Sequence, residues 1–274
     1  MMARWAMGWW VLVVGIAACV GPGVVLADGN DAAMLWYRAP AREWVQALPV
    51  GNGRMGAMVF GGVPQERIQF NEETLWDGYF GRNQVNPRAK ESLPKVRELL
   101  FSGRFAEAEQ LIAETMPGVP PRILSYQTFG DITITYRDGR PGKHYRRALD
   151  PMEGVAVSRF EIGGTPVTQR VFASHPDDCV VIRIEAERSK DAVDCLVRMS
   201  RERDAQTDVL GDHALLLHGR INRPHDVTGE PMGLFFAARL TAYPEGKKAA
   251  ARPEEGGLRI TGAKAVTLIL EAAT

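Results

Sequence analysis

Residues 48–78 read LPVGNGRMGAMVFGGVPQERIQFNEETLWDG, and this stretch decides much of the fold. Residues 55–60 have the pattern of a short buried strand between glycine-containing turns, and residues 67–70 begin a second strand. The polar segment after them ends near Trp76. So many glycine, asparagine, glutamate and tryptophan residues together are unusual in a purely structural sheet. The stretch contains no nucleophile paired with a base, no cluster of metal ligands and no phosphate-binding loop.

Strand patterns continue along the chain on the carboxyl side of this stretch. Residues 129–136 (FGDITITY) alternate isoleucine with threonine, a period of two that predicts a sheet with one buried face. Residues 155–162 and 165–173 flank Gly163 and Gly164, which predicts a hairpin with a two-residue loop. Further strands are predicted at 179–187, 193–199, 214–220, 234–243, 258–261 and 265–271. About ten strands separated by turn residues predict a mainly β fold, a large antiparallel β-sandwich.

One segment, residues 86–116, breaks the strand pattern. Asn86 is placed to cap a helix whose first position is Pro87. Two apolar stripes at helical spacing follow, the first made of Leu93, Val96, Leu99 and Leu100, the second of Phe105, Ala108, Leu111 and Ile112. The segment therefore predicts a helical hairpin inserted in the β domain, and we expect it to cover one edge or face of the sheet.

The composition is that of an ordinary globular protein. The 274 residues are 45% hydrophobic and 24% charged, and 33 basic residues balance 33 acidic ones. A chain without net charge gives neither nucleic acid nor an anionic membrane surface an evident reason to bind. The five histidines do not form a set of converging ligands along the sequence, so we predict no metal site and no cofactor.

Residues 1–27 are predicted to be a signal peptide. Arg4 precedes an apolar core, residues 9–18, that is too short to span a bilayer with its flanks. The sequence VLA at 25–27 resembles a cleavage site, which would leave residues 28–274 as the mature domain. Alternatively, IAAC ending at Cys19 resembles a bacterial lipoprotein box, and an uncleaved anchor is a third reading. All three place the protein outside the cytoplasm, either secreted or periplasmic.

Two cysteines remain in the predicted mature chain, Cys179 and Cys195. They are predicted to lie on neighbouring strands of one hairpin, 179–187 and 192–199. The expected turn would place Cys179 opposite Ser200 rather than Cys195, and bridged cysteines need Cα atoms within about 7 Å. We therefore predict two buried thiols, and a disulfide is an alternative that needs another register.

The motifs together resemble the amino-terminal domain of glycoside hydrolase family 95, the α-L-fucosidases with a β-sandwich followed by an (α/α)6 barrel. Besides 48–78, the segments that agree in order are LWYRAPAREW at 35–44, the helical hairpin at 86–116, QTFGDITITY at 127–136, and 145–176. The resemblance covers nearly all of residues 35–274. It implies a supersandwich here, and it implies that the catalytic (α/α)6 barrel is absent from this chain.

The resemblance also implies an activity for the full-length protein, namely hydrolysis of terminal α-linked L-fucose, often α-1,2-linked to galactose, with inversion. The family's catalytic residues belong to the barrel, so no catalytic residue is assigned here. Glu72 and Glu73 point to opposite faces of a strand and cannot form the carboxyl pair, about 6.5–9.5 Å apart, that inversion requires. A general acid at Glu72 or Asp77 is a minor alternative, because a surface carboxylate in a turn is commoner.

Five residues are candidates for the rim of the sugar cleft or for packing between domains: Asn52, Arg54, Asn71, Glu72 and Trp76. Asparagine and arginine donate to sugar hydroxyls, and tryptophan offers a ring face. The sequence Asn52-Gly53 is also typical of a turn that needs positive φ. An interdomain role explains the same mixture of polar and aromatic residues.

Two other groups of residues are predicted to be structural. Trp36, Tyr37 and Trp44 are expected in the core or an interface, with a sugar-stacking platform as the alternative. The adjacent arginines at 146 and 147, like the lysines at 247 and 248, are expected to be solvated charges.

Three functions remain open at this point. The first is the domain that braces the barrel and shapes the cleft of a fucosidase, inactive by itself. The second is a free-standing carbohydrate-binding sandwich, and the third is a structural domain that mediates dimer contacts. The expected partners are a fucosylated oligosaccharide and the missing barrel domain, without nucleic acid.

Overall fold

A computed structural model describes residues 33–78, 85–119, 124–137, 139, 142–188, 192–224 and 228–274. The segment Leu35–Thr274 forms one compact unit. The predicted signal peptide and Cys19 lie outside the described residues. None of the helices within them is both long and apolar enough to cross a bilayer.

Two antiparallel sheets make up the compact unit. The strands of the first half are β1 Leu35–Tyr37, β2 Leu48–Gly51, β3 Met55–Val59, β4 Gln65–Glu72, β5 Gly130–Tyr136, β6 Lys143–Asp150, β7 Val155–Ile162 and β8 Thr165–Ser174. Those of the second half are β9 Cys179–Ala186, β10 Val193–Ser200, β11 Ala205–Leu210, β12 Ala214–Arg220, β13 Phe235–Glu245, β14 Ala250–Glu254, β15 Gly257–Ala263 and β16 Ala265–Ala273. A nine-stranded sheet has the order β1-β6-β7-β8-β9-β16-β13-β12-β11, and a seven-stranded sheet has the order β14-β15-β10-β5-β4-β3-β2.

The predicted β-sandwich with an inserted helical hairpin is confirmed. In β5 every second residue is buried, as its alternation of isoleucine and threonine predicted. The β7–β8 hairpin turns at Gly163 and Gly164, whose φ values of 60° and 80° are the left-handed conformation that such a two-residue loop requires. The described residues contain no (α/α)6 barrel.

The core lies between the two sheets and is mostly apolar, with a few buried polar side chains such as Glu66 and Gln169. Ile132 and Ile134 of the seven-stranded sheet and Ile182 and Ile184 of the nine-stranded sheet are fully buried members of one cluster. Each such side chain contributes about 1.5–3 kcal/mol by leaving water. Phe129 joins the layers, because its ring stacks on Phe70 of β4 at 5.5 Å and meets Phe236 of β13 edge-on at 5.4 Å.

The predicted hairpin between the two cysteines is wrong. Cys179 lies on β9 of the nine-stranded sheet, whereas Cys195 lies on β10 of the seven-stranded sheet. The chain crosses from one layer to the other after β9, because β9 pairs with β8 and β16 while β10 pairs with β5 and β15. Both thiols are free and buried, as predicted. Burial raises the pKa of Cys195 to about 12, which keeps that thiol protonated and unreactive.

The inserted helices are α1, Arg88–Phe101, and α2, Phe105–Thr115. Asn86 fixes the foot of this hairpin, because its Oδ1 accepts the N–H of Arg88 at 3.0 Å and its amide donates to the Pro117 carbonyl at 3.0 Å. The two helices pack mainly on each other rather than on a sheet. The expectation that they cover the sheet is therefore wrong, and part of their apolar surface is exposed: Leu93, Leu100, Phe101, Phe105 and Ile112.

Candidate functional site

The predicted site residues gather at one end of the sandwich. The β2–β3 turn, the end of β4 and the segment 73–78 meet there with the β8–β9 turn and the end of β16. Along the chain, the helical hairpin lies between β4 and β5.

Asn52 shapes the β2–β3 turn and ties it to the opposite sheet. Its side-chain oxygen accepts the N–H groups of Arg54 at 3.0 Å and Met55 at 2.8 Å. Its amide donates to the Ser174 carbonyl at 2.8 Å, at the end of β8. Gly53 has a φ of 99°, so the predicted turn with positive φ is confirmed. The Asn52 side chain is thus occupied by contacts within the protein.

Arg54 connects three elements through one guanidinium group. Its Nε donates to Asp178 at 2.8 Å, and its Nη1 donates to the Ala272 carbonyl at 2.8 Å and to Glu72 at 3.3 Å. The hydrogen bond that Arg54 donates to Asp178 raises the pKa of Arg54, so the group stays fully charged. Arg54 therefore links β4, the β8–β9 turn and the end of β16.

Glu72 is buried, and the expectation of a surface carboxylate is wrong for it. Only 2% of the residue is exposed. One oxygen faces Arg54, and the other accepts the N–H of Thr74 at 2.9 Å and the Thr74 hydroxyl at 2.7 Å. The Thr74 hydroxyl also contacts that of Thr274. Both oxygens are thus engaged, which leaves Glu72 unsuited to act as a proton donor to a substrate.

The neighbouring carboxylates do not complete a catalytic pair. Glu73 lies in the turn after β4 and is exposed, whereas Glu72 is buried, so the two carboxylates point in different directions. Asp77 lies on the surface with its carboxylate 3.9 Å from the Arg223 guanidinium. Among the described residues, no group of three or more His, Cys, Asp or Glu side chains is arranged to hold a metal ion.

Trp76 and Tyr126 form an exposed aromatic pair beside this network. Their rings lie 5.2 Å apart at an angle of 57°. The indole N–H donates to the Glu73 carbonyl at 3.0 Å, and the Tyr126 hydroxyl donates to the Glu72 carbonyl at 2.9 Å. Asn71 is held as well, because its side-chain oxygen accepts the N–H of Phe129 at 3.2 Å. Hydrogen bonds fix the orientation of both rings while their faces stay open to solvent.

A groove of about 350 Å³ opens on the outer face of the seven-stranded sheet, next to this end. Its lining includes Trp44, Arg54, Gly56, Met58, Asn71 and Tyr126. Two of the predicted site residues, Arg54 and Asn71, therefore border one groove. Glu72 points to the interior instead, and Asn52 and Trp76 lie nearby without lining the groove.

The sequence pointed to Trp44 only as an alternative and did not identify Tyr126 or Gly56. Trp44 lies in a 3-10 helix, Trp44–Gln46, before β2, and 55% of it is exposed. An isolated tyrosine or glycine carries no local signal for a groove, because the groove forms only when β2, β3 and β4 align. The one feature of the sequence that pointed to the groove was the alternation along β3, which turns residues 56 and 58 outward.

The aromatic residues of β1 and the arginines of β6 differ from the prediction. Trp36 and Tyr37 are exposed on β1, an edge strand, so they are not core residues. The ring of Trp36 lies near the guanidinium groups of Arg38 and Arg146, at 5.5 and 5.0 Å. Arg147 is buried, not solvated: it donates to two backbone carbonyls at 2.7–2.8 Å and lies 4.4 Å from the ring centroid of Tyr37.

Comparison with known proteins was consistent with these observations. The sequence profile of the family described as "Glycosyl hydrolase family 65, N-terminal domain" matches residues 35–274. Alpha-L-fucosidase 2 of Arabidopsis thaliana is 35% identical over 170 residues, which are 60% of this chain and 20% of that protein. Probable alpha-fucosidase A of Aspergillus niger is 27% identical over 225 residues, which are 78% of this chain and 27% of that protein. The chain thus spans only about a fifth to a quarter of these curated relatives.

The profile match and the compact β unit cover the same residues, 35–274. The resemblance to the amino-terminal domain of α-L-fucosidases, first seen in five ordered motifs, is confirmed by the profile and by the relatives. The chain belongs to the glycosyl hydrolase N-terminal domain family that this profile describes, in the form that α-L-fucosidases carry.

Proposed function

We propose that this domain works within a larger glycoside hydrolase of family 95 that removes terminal α-linked L-fucose from oligosaccharides with inversion. Its own role is to brace the catalytic barrel and to shape one side of the cleft. The names of the relatives support the substrate, and the domain's place at the amino end of that family supports the role. By itself the domain is inactive in this proposal, because Glu72 is buried in an ion pair and Glu73 is the one carboxylate among the described residues that line the groove.

The single observation that carries the bracing role is the concentration of interacting groups at one end of the sandwich. Arg54 binds the Ala272 carbonyl, and Thr74 contacts Thr274, so the last strand is fastened at this end. The exposed pair of Trp76 and Tyr126 lies beside these contacts. A polypeptide that continues from β16 in a longer protein emerges next to this surface.

The helical hairpin carries an apolar face of its own. Leu93 and Leu100 are seven residues apart on α1, as are Phe105 and Ile112 on α2, and all four are exposed. Seven residues are about two helical turns, so each pair forms one stripe. On each helix, the exposed stripe is displaced from the buried residues in the same direction around the helix axis. Because the two helices are antiparallel and face each other, both stripes then lie on the same side of the hairpin. We propose that the barrel domain covers this side.

The bracing role is tested in the longer protein with Phe105→Glu and the control Ala106→Glu. Both residues are exposed at the start of α2, and Ala106 lies on the outward side of the hairpin. Phe105→Glu should loosen the contact between domains, lower the thermal midpoint of the whole protein and reduce release of fucose from 2′-fucosyllactose. Ala106→Glu should change neither quantity. Identical behaviour of the two variants would show that the hairpin face braces nothing.

The catalytic part of the proposal has its own measurements. The 274-residue chain should release no fucose from 2′-fucosyllactose, whereas the longer protein should release it first as the β-anomer, observed by proton NMR. Turnover by the short chain would contradict the inactive-domain role. Absence of fucosidase activity in the longer protein would contradict the substrate, and initial α-anomer would contradict inversion.

We also propose that the protein is exported, after cleavage behind Ala27 or with a lipid on Cys19. The motivation is the apolar segment at 9–18 followed by small residues. Mass spectrometry of the protein from a bacterial host separates the alternatives: a mass that begins at Asp28 supports cleavage, a diacylglycerol adduct supports the lipoprotein, and an intact Met1 in the cytoplasm would contradict export.

A carbohydrate-binding module is the second candidate function. The open groove beside Trp44 and Tyr126 favours it, because a binding module needs a preformed site on the sandwich itself.

A further inference from the structure

We propose that the groove on the outer face of the seven-stranded sheet is a non-catalytic binding site for a neutral saccharide. The site belongs to this domain alone and requires no residue of a barrel. The proposal rests on the proposed function only for the choice of a fucosylated sugar as the first probe. The argument depends on the shape of the groove floor, its aromatic sides and its balance of charge.

The floor of the groove is shaped by two rows of outward-facing residues across β2, β3 and β4. One row is formed by Gly51, Gly56 and Asn71, which pair directly across the strands. The next row is formed by Pro49, Met58 and Gln69. Gly56, which lines the groove, leaves the backbone bare between taller neighbours and so contributes to the depression. Its volume of about 350 Å³ is at the small end of the range for ligand pockets, about 300–1,000 Å³, and suits one or two pyranose rings.

Aromatic side chains line the groove. Trp44 is 55% exposed and Tyr126 is 41% exposed, so both rings can meet a ligand. The C–H faces of a pyranose pack on such rings, which combine apolar area with a polar edge. Tyr126 is held by its hydrogen bond to Glu72 and by the ring of Trp76, so it loses little freedom when a ligand binds.

The polar groups of the groove suit hydroxyls rather than an ionic ligand. Asn71 and Gln69 supply amide groups, and the side-chain oxygen of Asn71 is already fixed by the Phe129 N–H. Arg54 and Glu73 are the charged residues of the lining, and Arg54 is already paired with Asp178 and Glu72, so the groove offers no surplus of cations. Phosphate or sulfate would need a surplus of cations, whereas sugar hydroxyls both donate and accept. The groove therefore matches a neutral sugar.

The test is a titration of the 274-residue chain with 2′-fucosyllactose, lactose and L-fucose. NMR and calorimetry detect the binding. We expect saturable binding of at least one of the three at millimolar concentration. Gly56→Val is the decisive variant, because a Cβ at residue 56 would meet only the Val50 carbonyl, at 3.7 Å. Valine also favours strands, so the variant should fold and fill the floor. It should weaken binding by about tenfold or more, a change of about 1.4 kcal/mol.

Matched variants check that the effect belongs to the groove. Trp44→Ala should weaken binding by about tenfold, because it removes one exposed ring of the lining. Trp36→Ala is the control, since Trp36 is another exposed tryptophan, 42% accessible, on β1 of the other sheet. It should leave the affinity unchanged.

Three results would overturn the proposal: no saturation with any of the three sugars, unchanged affinity in folded Gly56→Val, or equal losses in Trp36→Ala and Trp44→Ala. Binding of lactose without preference for 2′-fucosyllactose would still support the site, and it would assign the contact to the galactose or glucose unit. None of these results depends on fucosidase activity in the longer protein. Failure here is therefore distinct from failure of the proposed function.

Discussion

The two ends of strand β4 each bury one glutamate, and they satisfy it in different ways. Glu66 and Glu72 both point to the interior, with 1% and 2% of their surface exposed. Glu72 faces the cation of Arg54 and the hydroxyl of Thr74. Glu66 accepts uncharged donors, the N–H groups of Gly61 at 2.8 Å and Arg67 at 2.9 Å, and the Gln169 amide at 2.6 Å.

The difference shows what a counter-ion does in a protein interior. Burial raises the pKa of Glu66 to about 7, because its hydrogen-bond donors offset only part of the lost hydration. At the other end, the cation that balances Glu72 also binds the last strand through the Ala272 carbonyl. One end of β4 therefore holds a titrating group inside the domain, and the other holds an ion pair where the strands join.

The largest expected effect concerns Glu66. Its folded-state pKa of about 7 lies above the ordinary value of 4.5, so its contribution to stability is present below pH 4.5 and is lost as the pH rises through 7. Burial raises the pKa of the neighbouring Tyr136 and Tyr145, so both stay neutral in this range. The free energy of unfolding of the wild type should fall by about 2–3 kcal/mol between pH 5 and 8 relative to Glu66→Gln.

Urea denaturation at several pH values measures this difference. Glutamine can keep the N–H groups of Gly61 and Arg67 paired, and the Gln169 amide can rotate to accept its new donor. If the free energies of unfolding of wild type and Glu66→Gln changed with pH in parallel, Glu66 would not titrate between pH 5 and 8. The proposed difference between the two ends of β4 would then be wrong.

A smaller effect is expected when Arg54 is replaced. Arg54→Met leaves the Glu72 carboxylate buried without its cation and should destabilise the domain by about 2 kcal/mol, less than for a fully buried pair because Arg54 is partly exposed. The double variant Arg54→Met, Glu72→Gln should recover much of this loss. Additive losses in thermal or urea unfolding would mean that the two side chains are not coupled.

The smallest effect is expected at Thr74. Thr74→Val removes the hydroxyl that donates to Glu72 at 2.7 Å, and one hydrogen bond of this kind contributes about 1–2 kcal/mol at most. Thr74→Ser is the matched control, since it keeps the hydroxyl and should stay within about 0.5 kcal/mol of the wild type. Equal midpoints for the valine and serine variants would show that the hydroxyl adds nothing to the Glu72 end.

The local sequence pattern was sufficient to predict the central strands, but it did not predict the polar strands. The alternation in β5 and the glycine pair after β7 each predicted the element that the structure contains. Four strands were not predicted, and they are short or polar: β2, β6, β11 and β14. Three of them, β2, β11 and β14, are edge strands of their sheets. An edge strand with a solvated face needs no apolar alternation, so its sequence gives little sign of it.

The candidate site was predicted as a region rather than as an arrangement. Asn52, Arg54, Asn71, Glu72 and Trp76 do gather at one end, but Glu72 faces the interior and Asn52 is occupied within the protein. Trp44 and Tyr126 could not be joined to them from the sequence. Their contribution depends on a groove whose floor needs three aligned strands.

By itself, the sequence determined the inward and outward faces of central strands such as β5, the hairpin loop at 163–164, the helical insertion and the family, because these depend on neighbours a few positions apart. Only the tertiary structure decided which sheet each strand joins, where the cysteines lie and what surrounds Glu72. Those outcomes depend on partners far apart in the chain: Asn52 reaches a carbonyl 122 residues away, and Arg54 reaches one 218 residues away. Local periodicity fixes the face of a strand, but it holds no information about the distant strand that will lie beside it.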